Sequence, residues 1–461
     1  IKVCATQLPL GPYRVVAEAK VAGVLAATVP GLKVGDEPPP DPAFLVYEPA
    51  GKPLAQSELH ALLKNRNRLI AELGITKDNR MFPWHSTQNS PAMENYTGYF
   101  HFEWLMPDIK ARRDAGLEVV GTLGFTPQFY DPSARFITNY TEWFGSTVAM
   151  PSRSIYFEEY AHRTIDYFSK QVSTWIVWDR PDAADFATPE DYTEKMLEVA
   201  RLAALEANPN SKLISGGITR ENMDKYLTGM IEAGAHRYVD GIGILPSPAP
   251  LSPEDGYLDV ILARAQRLRK QEHVKAEFWV LNLGWSSGEG NTRVTELEQA
   301  MFIPRAYVIC RAQGIENILI QPDGTEATAK RDSADLIYPH ENLLCLKPAA
   351  LSVKTVQFTL KDATFVRELF LNDSGNGMTR AYLFKRPDEK LLLAAWRREG
   401  AVFRTTASGA ETLLGTGAQP LVIGGPRPTI LWEQNGALYA QRGDEPASVL
   451  ARPARMASGA R

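Results

Sequence analysis

The feature that most constrains the fold is an alternation of short apolar runs with amphipathic segments, which repeats eight times from Phe44 onward. Nearly continuous apolar strands that alternate with helices are typical of a parallel sheet covered on both faces. Eight such units over about 320 residues predict a closed (β/α)8 TIM barrel. The predicted strands are Phe44–Tyr47, Arg80–Trp84, Glu118–Gly124, Thr174–Trp178, Lys212–Ser215, Val239–Leu245, Glu277–Leu281 and Ile318–Gln321.

The segments between the strands carry the signals that begin and end helices. After the fourth strand, Thr188 is suited to the N-cap and Pro189 to the first turn, and Asn208 with Pro209 ends the helix. Four other helices are predicted to end at glycines that adopt a left-handed conformation, namely Gly74, Gly116, Gly234 and Gly314. An open doubly wound sheet is the alternative, although no glycine-rich phosphate-binding motif follows any strand.

The two ends of the chain differ from this pattern. Residues 1–41 contain short strands and lead into the proline-rich stretch GDEPPPDP, which indicates a domain edge. Residues 363–461 alternate apolar and polar side chains between turn signals, which predicts an additional antiparallel β-sandwich domain. Because the strands of residues 1–41 are too few to fold alone, we expect them to join that sandwich. Residues 42–362 are assigned to the barrel.

Composition excludes several classes of function. A net charge of −4 with only short basic runs argues against nucleic-acid binding. No apolar run approaches the ~18 residues of a membrane span. The seven histidines are scattered, and Cys4, Cys310 and Cys345 show no metal-ligand spacing, so neither a metal site nor a cofactor is predicted. Cys310 lies in an apolar helical run, which indicates a buried, inert thiol.

The functional face of such a barrel is the ring of loops that follow the carboxyl ends of its strands. Aromatic side chains are frequent there, and four rings on one rim would suit stacking against sugars. Directly after the fourth strand, an acid and a base stand side by side as Asp179 and Arg180. The candidate binding residues at these strand tips are Glu48, Trp84, His85, Phe129, Trp178, Asp179, Arg180, Asn282 and Trp285.

Five segments resemble successive parts of the retaining (β/α)8 glycoside hydrolases, in particular the β-xylosidase/α-iduronidase-like family 39 and its relatives linked to bacterial exopolysaccharides. The resemblance covers residues 44–424 and implies the same fold, and it implies carbohydrate or polysaccharide as the partner. The segments are FEWLMPDIKARRDAGLEVVGTLGFTP, VSTWIVWDRPDAADF, LEVARLAALEANPNSKLISGG, YLTGMIEAGAHRYVDGIGILPSP and EFWVLNLGWSSG.

The residues that work in that family are replaced in this chain. Where the family has Trp-Asn-Glu-Pro, with the glutamate as proton donor, this sequence has WDRP, which places Arg180 at the glutamate position. Where the family has Thr-Glu-x-Gly-Trp, with the glutamate as nucleophile, this sequence has LNLGW and Asn282 at that position. A His-Pro-Tyr motif after the sixth strand is replaced by Leu245-Pro246-Ser247.

These replacements remove the chemistry of a retaining glycosidase. That reaction needs two carboxyl groups ~5–5.5 Å apart, one of them protonated. A guanidinium does not release its proton, and an amide cannot form the glycosyl ester. We therefore predict a catalytically inactive, glycosidase-like protein that binds carbohydrate or serves as a scaffold subunit of an extracellular or envelope assembly, where protein partners are also expected. An extracytoplasmic location is implied only by the resemblance.

Two alternatives remain. The first is an active hydrolase with relocated carboxylates, for which Asp179 and Glu48 are candidates, although Arg180 beside Asp179 predicts a lowered pKa for that carboxyl group. The second is a purely structural protein whose barrel mouth is filled by its own loops, such as Pro322–Pro339. Asp179 and Arg180 are expected either to form a structural ion pair or to contact a ligand.

Overall fold

The computed structural model describes most of the predicted barrel and parts of the C-terminal region. Predictions that concern residues 1–41, the strand Phe44–Tyr47, Cys4, Glu48 and Phe129 lie outside the described residues. The described ranges are 56–88, 100–127, 130, 146–147, 149–183, 186–320, 322, 334–340, 343–368, 379–387, 391–397, 403–405, 421–423, 429–434, 437–442 and 448–451.

The largest element is a curled sheet of parallel strands, each hydrogen-bonded to the next one along the chain. Every predicted barrel strand within the described residues is present, with ends that differ by at most three residues. A two-residue strand, Ile218–Thr219, also pairs with the fifth of them. The strands are β1 (Lys77–Pro83), β2 (Glu118–Gly124), β3 (Thr174–Val177), β4 (Lys212–Ser215), β5 (Gly241–Leu245), β6 (Glu277–Val280) and β7 (Asn317–Ile318).

Helices lie between these strands, as the alternating pattern predicts for a (β/α)8 barrel-like α/β fold. They are α1 (Gln56–Glu72), α2 (Met106–Asp114), α3 (Ser154–Tyr167), α4 (Pro189–Tyr192), α5 (Glu198–Ala207), α6 (Met223–Glu232), α7 (Leu258–Gln271), α8 (Glu296–Ala312) and α9 (Pro348–Thr359). A π-helical turn, Thr193–Leu197, connects α4 and α5, and short turns occur at Trp84–Thr87 and Ala235–Arg237.

The predicted helix boundaries are confirmed where the structure describes them. The Thr188 hydroxyl accepts a hydrogen bond from the backbone amide of Asp191 at 3.1 Å, which caps α4. The four predicted closing glycines all have positive φ angles, between 76° at Gly314 and 83° at Gly116 and Gly234. Glycine carries no Cβ, so it closes a helix in this conformation without the steric penalty of other residues.

The core has two layers, one inside the sheet and one between the sheet and its helices. Inside the sheet, side chains from neighbouring strands form one buried cluster of Val120, Ile176, Ile214, Trp279, Leu281 and Leu319. On the helix side, Cys310 is fully buried, and burial raises the pKa of its thiol to about 12. This confirms that Cys310 is an inert core residue.

The C-terminal region contains a six-stranded antiparallel sheet, in keeping with its alternating sequence. Its strands are Thr364–Glu368, Thr379–Lys385, Leu391–Arg397, Thr429–Gln434, Ala437–Arg442 and Ser448–Ala451, in that order across the sheet. Among the described residues, three antiparallel pairs lie outside it: Thr126–Pro127 with Ser146–Thr147, Ile337–His340 with Leu343–Leu346, and Phe403–Thr405 with Leu421–Ile423. A β-sandwich completed by residues 1–41 remains a prediction.

Polar contacts join this sheet to the barrel. The indole nitrogen of Trp396 donates to a carboxylate oxygen of Glu254 at 2.7 Å, and Arg305 of α8 donates to the same oxygen at 3.0 Å. Arg380 donates to Asp259 of α7 at 2.8 Å. The antiparallel sheet is therefore attached to α7, α8 and the loop that precedes α7.

Candidate functional site

A cavity of about 600 Å³ lies at the carboxyl ends of the barrel strands, where this fold carries its functional groups. Loops that follow β3, β4, β5, β6 and β7 all contribute to its wall. Its polar wall includes Asp179, Arg180, Thr219, Glu221, Ser247 and Asn282. Three of the residues predicted from the sequence, Asp179, Arg180 and Asn282, thus meet in one cavity.

The backbone of Trp178 creates the corner from which Asp179 and Arg180 enter this cavity. Trp178 has a φ angle of 69°, in the left-handed region that a bulky residue adopts only at a conformational cost of ~1–3 kcal/mol. Packing compensates for that cost, because the Trp178 ring stacks on Phe186 at 4.6 Å and meets Phe125 edge-on at 5.4 Å. Strain maintained by surrounding packing is common at functional sites.

The loop after β4 packs tightly against this corner. A Cβ atom at Gly216 would lie 2.6 Å from Pro181, so only glycine allows the two loops to approach this closely. The amide of Gly217 donates to the carbonyl of Asp179 at 2.7 Å. The buried carboxylate of Asp182 accepts hydrogen bonds from the amide of Thr219 at 2.8 Å and from Asn222 at 3.1 Å. Close packing at Gly216 and hydrogen bonds to Asp179 and Asp182 therefore fix the position of this corner against the loop after β4.

Asp179 and Arg180 form a loose contact. Their closest charged atoms, Oδ2 and Nε, lie 3.8 Å apart, and the side chains are 42% and 50% exposed. That separation is too long for a hydrogen bond. The two groups therefore do not form a tight ion pair that closes the corner, and both side chains reach solvent.

The pKa of Asp179 is raised, which corrects the lowered pKa expected from the neighbouring arginine. Burial is the largest cause: the side chain touches solvent within the cavity, but protein surrounds it on most sides. Arg180 lowers the pKa and the negative charge of Asp182 raises it, so that the net shift is upward. Asp182 lies three positions from Asp179 in the sequence, whereas only the folded chain surrounds Asp179 with the loops that bury it.

The three predicted tryptophans occupy positions different from those expected for a sugar-stacking rim. Trp84, Trp178 and Trp285 are all buried, and none lines the cavity. Trp84 stacks on Tyr160 at 5.0 Å, and the indole nitrogen of Trp285 donates to the carbonyl of Leu251 at 2.8 Å. All three rings are packed in the protein interior, so the expectation that they form the rim of the cavity is corrected.

His85 also differs from the expected binding residue. Its side chain is partly buried in the turn after β1 and does not line the cavity. Burial lowers the pKa of His85 to about 4, so the imidazole is neutral near pH 7. In this position it supports local structure and does not offer a charge to a ligand.

Several lining residues were missed by reasoning from strand tips. Thr219 and Glu221 follow Gly216 and Gly217 after β4 and line the cavity. Asn79 and Thr122 lie within β1 and β2 and face inward, where the Thr122 hydroxyl donates to the Asn79 side chain at 2.8 Å. For Thr122 the available signal was a polar residue in the mostly apolar strand β2, which indicates the lumen of a barrel, whereas β1 is polar over Lys77–Arg80 and gave no such signal for Asn79.

Among the described residues, no group of three or more histidine, cysteine, aspartate or glutamate side chains is arranged to hold a metal ion. None of the helices in the described ranges is long and apolar enough to cross a membrane.

Comparisons with known proteins identify the fold. No protein-family model and no curated protein matches this sequence. Among solved structures, a family 39 glycoside hydrolase from the gut symbiont Bacteroides cellulosilyticus WH2 is similar over 75% of this chain and 70% of that one, with 20% identity and a TM-score of 0.60.

Two further solved structures extend this likeness. SrfJ from Salmonella typhimurium is similar over 82% of this chain and 86% of its own, with 11% identity and a TM-score of 0.56. A monomeric beta-xylosidase from Caulobacter crescentus CB15 is similar over 78% and 73%, with 14% identity and a TM-score of 0.52. The chain therefore shares the fold of glycoside hydrolases at low sequence identity, and a shared fold does not by itself define function.

Proposed function

We propose that this protein binds carbohydrate in the cavity at the carboxyl ends of its barrel strands, without the retaining hydrolysis of the enzymes whose fold it shares. The observation that carries the proposal is the presence of Arg180 and Asn282 in the cavity wall, at the positions that the resemblance assigns to the two glutamates. A cavity of about 600 Å³ has the size of a small-ligand site, for which ~300–1,000 Å³ is usual.

The side chains at these two positions can bind a sugar but cannot perform the lost chemistry. The Arg180 guanidinium presents a planar set of donors to hydroxyl or carboxylate oxygens. The Asn282 amide has both donor and acceptor groups. Neither can protonate a leaving oxygen at neutral pH or form a covalent ester with a sugar, and loss of general acid catalysis alone lowers rates by ~10²–10⁴.

An active hydrolase with relocated carboxylates is a second candidate, and one observation favours it. Asp179 has a raised pKa and shares the cavity wall with Glu221. A raised pKa is the property that a general acid needs, and a second carboxylate is the partner that it would require. In this alternative Asp179 donates the proton and Glu221 acts as base or nucleophile.

A purely structural role remains a third prediction, in which the barrel mouth is filled and the protein serves as a scaffold of an extracytoplasmic assembly. The segment predicted to fill the mouth, Pro322–Pro339, is described only in part, so this prediction stays open. Pro322 and Ala334, which lie on either side of the undescribed residues 323–333, both contribute to the wall of the cavity.

The deciding experiment is a glycan-array screen run beside a chromogenic glycosidase panel. The wild type, Asp179→Ala and Arg180→Gln would be compared, with Arg113→Gln of α2, which does not line the cavity, as the matched control. Binding without turnover that weakens in Arg180→Gln but not in the control supports the proposal.

The other outcomes distinguish the alternatives. Turnover that disappears in Asp179→Ala would sink the non-catalytic proposal and support the relocated carboxylates. An absence of both binding and turnover would contradict both ligand-based functions and favour the scaffold role, for which co-purification of protein partners is the next measurement.

A further inference from the structure

Part of the cavity wall that faces the barrel interior is aliphatic and lies beside the hydrogen-bonded polar pair Asn79 and Thr122. Met81 of β1, Ile176 of β3 and Leu245 of β5 contribute to it, and so do Leu281 and Leu319, which directly follow β6 and β7. These side chains come from five strands around the barrel, and all of them except Met81 belong to or pack against one buried cluster. Contact between water and an apolar surface is unfavourable, so this part of the wall binds apolar groups of a ligand in preference to water.

This aliphatic floor rests on a packed support. Ile176, Leu281 and Leu319 belong to the buried cluster inside the sheet, which continues below them through Ile214 and Trp279. Interiors packed in this way change shape little, since each side chain is held by its neighbours. The floor is therefore a preformed surface that a ligand can contact without rearrangement of the barrel.

Aromatic side chains are absent from the cavity wall among the residues that the structure describes. Trp84 and Trp285 are buried and do not line the cavity, and the indole nitrogen of Trp285 is bound to the carbonyl of Leu251. A pyranose ring therefore finds no described aromatic surface to stack on. The apolar surface available to a ligand consists of methyl and methylene groups instead.

Polar side chains lie on the other side of the cavity. Thr219, Ser247, Asn282, Ser286 and Thr292 belong to the loops after β4, β5 and β6, on the solvent side of the aliphatic floor. They provide hydroxyl and amide groups that match the donors and acceptors of sugar hydroxyls. The polar rim therefore lies in these loops, whereas the floor inside the barrel combines the aliphatic side chains with Asn79 and Thr122.

We propose that the cavity binds a saccharide that carries a short aliphatic substituent, with the sugar hydroxyls at the polar rim and the substituent on the aliphatic floor. This inference rests on the proposed carbohydrate-binding function and names the class of ligand. An alkyl aglycone and an O-linked acyl ester present the same aliphatic chemistry to the floor, and the experiment separates these two sources.

The test is isothermal titration of the full chain with methyl, butyl and hexyl β-D-glucosides and β-D-xylosides. Each methylene buried on the floor should tighten binding about fourfold, until the chain reaches the end of the cavity. Glucose and xylose esterified with butyrate form the acyl arm. Stronger binding of the alkyl glycosides than of the esters assigns an aglycone, and the reverse order assigns an acyl group.

Substitutions locate the effect on the floor. Ile176→Thr shortens the branched side chain in β3 and puts a hydroxyl in place of part of the aliphatic surface, so it should reduce the gain in affinity from the methyl to the hexyl glycoside. Leu251→Thr is the matched control, since Leu251 is exposed outside the cavity wall. If Ile176→Thr fails to fold, the wild-type chain-length series and a hexanol titration still decide the question.

Two results would overturn this inference and leave different conclusions about the function. Equal affinity for methyl and hexyl glycosides means that the sugar binds but the floor is not used, so the carbohydrate-binding proposal survives alone. Hexanol binding as tight as that of hexyl glucoside means that the sugar contributes nothing, which contradicts this inference and the carbohydrate-binding proposal together.

Discussion

Two pairs of a carboxylate and a guanidinium in this molecule differ in their burial and in the distance between their charged atoms. Glu254 and Arg305, at the junction with the antiparallel sheet, are 7% and 2% exposed, and their groups meet through two contacts, one of them 3.0 Å long. Asp179 and Arg180, in the cavity, are half exposed and 3.8 Å apart. The first pair is buried and joined by two contacts, whereas the second is open to solvent and is not hydrogen-bonded.

The enclosed pair holds together parts that are distant in the sequence. Trp396 of the antiparallel sheet adds a third donor to Glu254, which lies in the loop between β5 and α7. The same loop includes Ser247, whose hydroxyl donates to the carbonyl of Gly284 at 2.7 Å in the cavity wall. A tight pair thus stabilises the wall of the site, whereas the loose pair stays accessible to a ligand.

The largest expected effect comes from breaking the enclosed pair. Glu254→Leu leaves Arg305 buried without its carboxylate, so the free energy of unfolding should fall by about 3–5 kcal/mol in urea titrations. The double variant with Arg305→Met should recover part of this loss, because no buried charge is left unpaired. Lys195→Ala, which breaks the exposed pair with Asp191, is the control and should change stability by less than about 0.5 kcal/mol. A loss below about 1 kcal/mol in Glu254→Leu would show that the buried pair is no more important for stability than an exposed one.

A smaller effect is expected from the third donor of the same cluster. Trp396→Phe keeps an aromatic ring but removes the hydrogen bond to Glu254, so stability should fall by about 1.5–3 kcal/mol because that bond is made to a charged group. The same urea titration measures the loss. Trp104→Phe, at an exposed tryptophan, serves as the control and should change little. Equal effects of the two substitutions would show that the hydrogen bond contributes nothing.

In the cavity, Asp179→Asn should produce a small gain that depends on pH. Because the pKa of Asp179 is raised on folding, the folded protein holds this proton more tightly than the unfolded chain, and stability falls as pH rises through the shifted pKa. The variant lacks this loss and should be more stable than the wild type at pH 7, by less than about 1 kcal/mol since the group is partly exposed. Below the ordinary aspartate pKa of 3.8 the difference should vanish. Urea titrations at both pH values measure the difference in stability. A variant less stable than the wild type at pH 7 would show that the pKa of Asp179 is not raised on folding.

The smallest effect on stability is expected from the other member of the loose pair. Arg180→Gln removes a half-exposed charge that makes no close ion pair, so the free energy of unfolding should change by less than about 0.5 kcal/mol at pH 7. Affinity for carbohydrate should nevertheless fall, because the guanidinium lines the cavity. A stability loss comparable to that of Glu254→Leu would show that the cavity pair is structural after all.

The local pattern of the chain was sufficient to predict the barrel strands and helix ends. Glu118–Gly124 and Lys212–Ser215 are found with the predicted boundaries, and the Thr188 cap forms as expected. Such features depend on residues within a few positions of each other, so hydrophobic period and cap chemistry are informative. The three tryptophans were placed incorrectly, because a position at a strand tip does not specify whether a ring faces the cavity or the helices behind it.

Some properties of Asp179 and Arg180 are determined by the sequence alone, and others only by the tertiary structure. Their adjacency after β3, and the absence of glutamate at the two positions that the resemblance marks, are properties of the amino-acid order alone. Their separation and exposure, and the burial that raises the pKa of Asp179, depend on the φ angle of Trp178 and on the loop after β4 that packs against this corner. Electrostatics and burial act through space, so the folded arrangement of distant loops sets them, whereas periodicity along the chain sets the strands and helices.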